Sequence, residues 1–586
     1  MFATLVVFAV ACGPSQQPLD PTEASSPCHQ PMSDGSSTFV SITDSSPGPE
    51  AIARSRDRLF ALGQDELVEL EPPIDWNQDP FNDRSWRYRL HALVPLGPVL
   101  VDYQQSQRSE SLDYAVELAL DWIAANPLNG NGLSEFTWYD TAVGIRVSFL
   151  SYIIAELEKS PGSADPDTLA VLRCGAVDHA EWLFDDANYK PRHNHGLLED
   201  AGLFVAALNL SEHPRADAWR LKAETRFVDN VTSTFDPVSG LHLEHSPTYH
   251  ETITETVANL SDEVGLARDE LAPLVSRMYD AGGWYVMPDG HLPQFGDTDR
   301  RVADEWMVER SDAAVGLGWF PEAGLGVYRE SDAYLAFASW HHSTTHKHSD
   351  ELTFVWAEAG HRIVIDSGRY GYYYNDPERV YAESSPAHNT AYFGDDPFEW
   401  RDVKPYGSGM LDHAEADGWV AMLAENRNTK TSDFVHRRAL AYKPGVALII
   451  VDVVDGSRCR DAVGHLHFAP GWTADAGGGG GAGSLASATG DASLSIASNW
   501  NDLTFAAGQD DPIKGFTFPA NREAIPIVTA TLEGDDACDE PLVTVLTLGD
   551  SDTVVIKSAA RDQATIQVAG ETVTVTIDDD RVTLGS

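Results

Sequence analysis

The apolar pattern of this chain changes period once, near Gly316, and that single change limits the folds open to it. From about Ala51 to Ala314, apolar residues recur at helical spacing. Leu112 to Ala125, for example, puts Ala115, Leu118, Ala119 and Trp122 on one face. The segments 139–159, 167–184, 196–210 and 215–228 read the same way. Helix after helix, joined by Pro, Gly and Asn turns, predicts an α/α toroid or a related helical array. After Gly316 the runs 333–338, 352–356, 447–451 and 572–576 are strand-like, with Gly, Asp and Asn turns between them. That half predicts an antiparallel β-sandwich. The expected class is therefore α+β and multidomain, with a toroid over 51–315 and a sandwich over 316–586. Gly477 to Gly483 is a flexible loop, since no Lys-Ser/Thr follows it to make a phosphate cradle.

The charge balance excludes one class of partner. Forty Lys and Arg face ninety Asp and Glu, a net charge of -50. Nucleic-acid binding needs a basic surface and is not expected. An acidic surface also repels a polyanion, so a site for one needs its own Arg, Lys, His or metal.

The first residues read as an export signal. Phe2 to Ala11 is apolar but too short to span a bilayer. Ala9-Val10-Ala11-Cys12 has the small residues of a bacterial lipoprotein cleavage box, with Cys12 as the lipidated residue, although no Lys or Arg precedes the run. Residues 1–12 are thus expected to be a signal with a lipobox, and 13–50, rich in Pro, Ser, Asp and Gln, a flexible tether. The expected location is the periplasm or outer membrane of a Gram-negative bacterium, with plain secretion as the alternative. The membrane enters only through that anchor. Four other Cys remain, and an exported protein can pair them. Cys459 and Cys538, close in sequence, are the preferred pair.

Two clusters of chemistry-bearing residues stand out. In the first, His346 and His348 precede the strand at Leu352, Asp366 ends the next strand, and His388 follows. On an extended segment His346 and His348 share a side, and a hairpin brings Asp366 beside His348. Two His and one Asp suit Zn²⁺ or a similar ion, and suit plain hydrogen bonding equally. In the second, Asn194 and His195 head a helix and Tyr249 lies in Glu244-His245-Ser246-Pro247-Thr248-Tyr249-His250. Asn194 also suits a helix cap, and Tyr249 a core position.

Taken together, the chain resembles the heparinase II/III-like polysaccharide lyases, which include heparin, heparan sulfate and alginate-oligomer lyases. The resemblance rests on Asn194-His195-Gly196, the Glu244 to His250 segment and Gln294-Phe295-Gly296-Asp297-Thr298-Asp299. It continues in His346-Lys347-His348-Ser349-Asp350, Ile365-Asp366-Ser367-Gly368 and Ala387-His388-Asn389-Thr390. The motifs run in the family's order over roughly residues 50 to 470. Asn194 and Tyr249 are 55 positions apart, and His348 and Asp366 are 18 apart.

The resemblance implies a toroid, a following sandwich and an active site in the cleft between them. It implies Tyr249 as catalytic Tyr, Asn194 as the group that neutralises a carboxylate, and His195 and His346 beside the reacting sugar. It implies His348, Asp366 and His388 as ligands of a mainly structural divalent metal, zinc first.

The implied reaction makes chemical sense of these residues. β-Elimination takes the C5 proton of a uronic acid and expels the C4 oxygen. An amide such as Asn194, backed by His195, stabilises the enolate-like intermediate as an oxyanion site does. A Tyr whose pKa is lowered by nearby positive charge can act as base and acid. The expected partner is an acidic polysaccharide or oligosaccharide.

Arg192, Arg300 and Arg301 are expected to bind substrate, with Arg369 and Arg379 as further local cations. Trp138 and Trp284, and Tyr370 and Tyr372 to Tyr374, are expected to stack on sugar faces. Two alternatives remain. One is a toroid glycoside hydrolase using two of Glu199, Asp200, Asp297 and Asp299. The other is a catalytically inactive surface glycan-binding lipoprotein.

Overall fold

The computed structural model describes residues 27–40, 47–63, 66–159, 162, 164–394, 397–427, 434–456, 459–475, 480–537, 540–549, 554–560 and 562–585. Cys12 and the expected signal lie outside them, as does Cys538. Cys459 is disulfide-bonded. The chain forms two compact units, residues 1–190 with 198–225, and residues 191–197 with 226–586.

Among the described residues the α-helices are α1 Pro49–Ser55, α2 Arg84–His91, α3 Leu96–Ser106, α4 Ser109–Ala125, α5 Asp140–Glu158, α6 Pro166–Phe184, α7 Asn194–Asn209, α8 Ala216–Thr234, α9 Pro247–Val264, α10 Arg268–Gly282, α11 Glu305–Ser311 and, among the later strands, α12 Pro377–Glu383. Strands dominate from Gly316 onward.

In the first unit, α5 is buried on nearly every side. Its sequence, apolar all round rather than striped, is what a central helix needs. Gly144 of α5 and Gly202 of α7 let the two helices touch. A Cβ on Gly202 would lie 2.3 Å from the Gly144 carbonyl oxygen. Asp165 caps α6 by accepting from the Asp167 and Thr168 N–H groups, and Pro166 opens the helix.

Part of the expected tether is pinned to this unit. Cys28 is disulfide-bonded to Cys174 of α6. Glu158 accepts from the Met32 and Ser33 N–H groups, and Asn209 bonds Thr38 in both directions. Residues 27–40 are therefore held by hydrogen bonds and a covalent link that polar composition did not reveal.

In the second unit, an antiparallel five-stranded sheet runs 316–320, 325–329, 333–338, 353–358 and 361–364 in sequence order. The Ala333–Ala338 strand is buried throughout and serves two cores. Tyr334, Ala336 and Ala338 face Met287, Phe295 and Met307. Leu335 and Phe337, opposite Trp356 and Phe354, face the other way.

The central strands of an eight-stranded antiparallel sheet are likewise buried on both faces. Along Trp419–Asn426, Val420, Met422 and Ala424 enter one core while Trp419, Ala421 and Leu423 enter another. Each such Leu or Phe removed from water contributes roughly 1.5–3 kcal/mol. Strict alternation into two apolar cores is what makes these strands read as continuous apolar runs. Among the described residues, no helix is long and apolar enough to cross a membrane.

Candidate active site

Four backbone segments of the second unit carry the site. The first is the start of α7. Arg192 turns the chain with φ 57°. Asn230 then clamps His193, accepting from its N–H at 3.2 Å and donating to its carbonyl at 3.1 Å. The second segment leads into α9. Ser246 is the N-cap and accepts from the Tyr249 N–H, and Pro247 fixes the first turn. Ser246 Oγ also bonds Thr298 Oγ1 at 2.8 Å, so Tyr249 is aimed from a doubly anchored turn.

The third segment is the turn holding His346, which has φ 54°. A non-glycine residue there is uncommon and must be held by its surroundings. His245, itself at φ 63°, does this. Its Nδ1 bonds the Thr345 carbonyl at 3.0 Å and its Nε2 accepts from the His342 N–H at 2.9 Å.

The fourth segment crosses between them at Gly296. With φ 50°, a Cβ there would lie 2.5 Å from the His245 carbonyl oxygen and 2.8 Å from that of His346. Only glycine lets these three chains meet.

The side chains converge accordingly. The Tyr249 ring lies flat on the His346 imidazole, centroids 3.5 Å apart and planes 18° apart. The Tyr249 hydroxyl is 2.7 Å from that of Tyr372. Arg369 and Arg379 lie over the Tyr372 ring at 4.8 and 5.6 Å. His346 Nδ1 is 2.8 Å from Asp297 Oδ2, and its Nε2 is 3.6 Å from Glu244 Oε2. Glu244 Oε1 accepts from the Asn194 N–H at 3.2 Å. Among the described residues, Asn194 Oδ1 is buried with no hydrogen-bond partner.

The electrostatics sort these groups. Burial would raise the Asp297 carboxyl, but Arg379 at 2.5 Å and hydrogen bonds from His346 and His348 hold it well below the carboxylate range. An ionised Asp297 accepts the His346 Nδ1 proton, so Nε2 carries the lone pair of the neutral ring. Burial lowers His346, opposed by Asp297. Burial pushes Glu244 up to about 8.

Tyr249 departs from expectation. The sequence suggested a phenol lowered by positive charge. Instead burial, with Tyr372 and Asp297 beside it, holds Tyr249 well above 10, and Arg369 opposes this only in part. Both nearby guanidiniums are already paired. Arg369 binds both Asp299 oxygens, at 2.8 and 2.5 Å, and Arg379 binds Asp297.

The expected metal ligands are neighbours, in a different arrangement from the one predicted. His346 and His348 do not share a strand face, because His346 sits in a turn. Both instead reach Asp297, His348 through Nε2 at 3.1 Å. His388 Nδ1 lies 2.9 and 3.0 Å from the two Asp366 oxygens, and its ring is 5.4 Å from that of His348. Among the described residues, His348 Nδ1 is buried without a hydrogen-bond partner, a donor of the kind an ion would use. No group of three His, Cys, Asp or Glu among the described residues is arranged to hold a metal ion. The donor types fit zinc, but the geometry is that of two hydrogen-bonded pairs.

Other expected residues lie elsewhere. His195 packs edge-on against His193, centroids 4.3 Å apart. Arg192 and Arg300 are exposed. Arg301 is committed to Glu251 at 2.9 Å and to Asp304 at 3.4 Å. Trp284 packs on Phe320 and against Gly318. Trp138, in the first unit, packs on Trp122 and His179 with its indole nitrogen buried. Both indoles are half-buried. From sequence, Glu244 had no assigned role, Asp297 was weighed only as a hydrolase carboxylate, and Tyr372 only as a sugar-stacking ring. Glu244 and Asp297 sat inside motifs, but no spacing told which partners they would meet.

Comparisons with known proteins bear on the family and the fold. The heparinase II/III N-terminus model matches residues 59–323, and the heparinase II/III-like C-terminal model matches 313–568. No curated protein sequence matches the chain.

Among solved structures, a crystal structure of heparinase III aligns with TM-score 0.75 at 16% identity, over 92% of this chain and 93% of that one. The heparinase III BT4657 gene product aligns with TM-score 0.67 at 19% identity, over 92% and 93%. Heparan sulfate lyase HepC from Pedobacter heparinus aligns with TM-score 0.64 at 15% identity, over 95% and 92%. These likenesses show the fold, an α/α toroid followed by an antiparallel β-sandwich. With both family models matching in tandem and the Asn194, Tyr249 and His346 segments meeting at one place, the chain belongs to the heparinase II/III-like family of polysaccharide lyases.

Proposed function

We propose that the protein cleaves an acidic, uronic-acid-containing polysaccharide by β-elimination and leaves an unsaturated uronic acid at the new non-reducing end. The observation that carries this reading is the convergence of Asn194, Tyr249 and His346, with Asp297 behind the imidazole. Asn194 Oδ1 is buried and has no hydrogen-bond partner among the described residues. There the amide can donate to the substrate carboxylate and to the charge that develops on it. His346 Nε2 presents a lone pair because Asp297 holds the Nδ1 proton, the arrangement of a base oriented by a third group. Tyr249, protonated at neutral pH, is placed to give its proton to the departing C4 oxygen, with Tyr372 next along the hydrogen-bond line.

A hydrolase would need a carboxylic acid facing a carboxylate. Asp297 and Asp299 are both paired with arginines, which favours elimination. The heparan sulfate lyase named among the similar folds points to a sulfated or carboxylated glycan as substrate class. We also propose one zinc ion at His348, Asp366 and His388, supported by their donor types and the buried His348 Nδ1. Bound there it would brace the segment behind His346. A panel of uronic-acid polymers, followed by the ultraviolet absorbance of the C4–C5 double bond, tests the reaction. Reducing ends released without that absorbance would mean hydrolysis.

A further inference from the structure

Glu244 lies at the centre of the site and has no role in the proton transfers described above. It is 1% exposed, and its two oxygens look in different directions. Oε1 holds the Asn194 N–H at 3.2 Å, and Oε2 stands 3.6 Å from His346 Nε2. Its backbone belongs to the segment leading into α9, so it stands between the two other segments that bring Asn194 and His346. We propose that Glu244 is a positioning residue for the elimination, a buried carboxyl that fixes the Asn194 amide and the His346 imidazole in one relation to the sugar. This rests on the β-elimination reading given above.

Three observations support the assignment. First, Asn194 opens α7, where the leading N–H groups have no partner inside the helix. Glu244 occupies one of them, and so sets where the Asn194 side chain departs. Second, the 3.6 Å gap to Nε2 is longer than a hydrogen bond. The lone pair is left available while the carboxyl blocks rotation of the ring away from Asp297. Third, Glu244 sits in a site for an anionic sugar, where an ionised carboxylate would repel the substrate. Its burial keeps it in the neutral form at neutral pH. A neutral carboxyl of this reach is matched in shape by an amide and not by a shorter acid.

Three substitutions separate reach from charge. Glu244→Ala is expected to lower kcat roughly 10²-fold with KM changed much less, the cost of misplacing catalytic groups by about an ångström. Glu244→Asp keeps the carboxyl group but shortens the reach, and is expected to fall with Ala. Glu244→Gln keeps the reach and is expected to rescue most of what Ala loses. Thermal melting of all three checks folding, and Gln, being isosteric, stays informative if Ala unfolds. The proposal is overturned if Ala retains wild-type kcat, or if Asp rescues and Gln does not. Wild-type protein that forms no unsaturated product on any uronic-acid polymer would instead overturn the lyase reading.

Discussion

Tyr249 and His346 are stacked face to face, with centroids 3.5 Å apart and planes 18° from parallel. The contact joins the first turn of α9 to a turn held at positive φ, 97 residues further on. It places a phenol and an imidazole ring side by side, each anchored by a further partner. Tyr372 takes the hydroxyl side and Asp297 the Nδ1 side. Elimination needs such a pair, one group to remove a proton and a neighbour to deliver one.

Tyr249→Phe keeps the stacked ring and removes only the hydroxyl. Turnover is expected to drop roughly 10²–10⁴-fold, the usual range for a lost general acid or base. The lost bond to Tyr372 costs about 1 kcal/mol, so the variant should melt close to wild type. Near-normal turnover in a folded variant would remove Tyr249 from the proton path.

Asn194→Ala is expected to reduce kcat by roughly 10²–10³-fold, as loss of an oxyanion donor does. KM should move little, because the amide acts mostly on charge that develops after proton loss. Steady-state kinetics on one defined polymer decide the matter. A change confined to KM would make Asn194 a binding residue only.

Much of the fold was legible because its signals are local. Helical periodicity marked α4 to α8, and strand alternation marked runs such as Ala333–Ala338. The site was legible only as motifs. His346 and His348 were placed on one strand face, but no local signal announces a turn at φ 54°. That turn depends on His245, 101 residues earlier, and on Gly296 leaving room between two carbonyls. The Arg379–Asp297 pair spans 82 residues, and its effect on His346 exists only in the folded chain. Tyr249 misled for a related reason. Nearby positive charge was expected to lower its pKa, but which carboxylates Arg369 and Arg379 already serve is a tertiary fact.

The metal proposal has a direct measurement. Purified protein prepared without chelator should contain about one equivalent of zinc per chain, since one set of ligands takes one metal. His348→Ala should lose it, with a lower melting temperature and weaker activity. An absence of metal from wild-type protein would leave Asp366 and His388 as a hydrogen-bonded pair and nothing more.

Cys12 lies outside the described residues, and its lipidation rests on the Ala9 to Cys12 box. Cys12→Ser is expected to move the protein from the membrane fraction to the soluble fraction in a Gram-negative host. Unchanged fractionation would replace the anchor by plain secretion.

The pH dependence should report Glu244. Burial moves its carboxyl from an ordinary 4.5 to about 8. A folded-state pKa above the unfolded one gives a contribution that is fully present below 4.5 and is lost as pH rises through about 8. The same proton loss puts a negative charge opposite the Asn194 amide, where the uronate must bind. His346 faces Glu244 directly, and Asp297, Tyr249, Arg369 and Arg379 lie behind His346. Tyr249 is held well above its ordinary 10 and keeps its proton in this window. Asp297 is ionised throughout it. Wild-type kcat/KM is therefore expected to fall as pH rises through about 8. Glu244→Gln, which cannot ionise, should stay level over the same range. A limb of the same position and depth in the Gln variant would assign the alkaline loss to another group and leave Glu244 with a purely steric role.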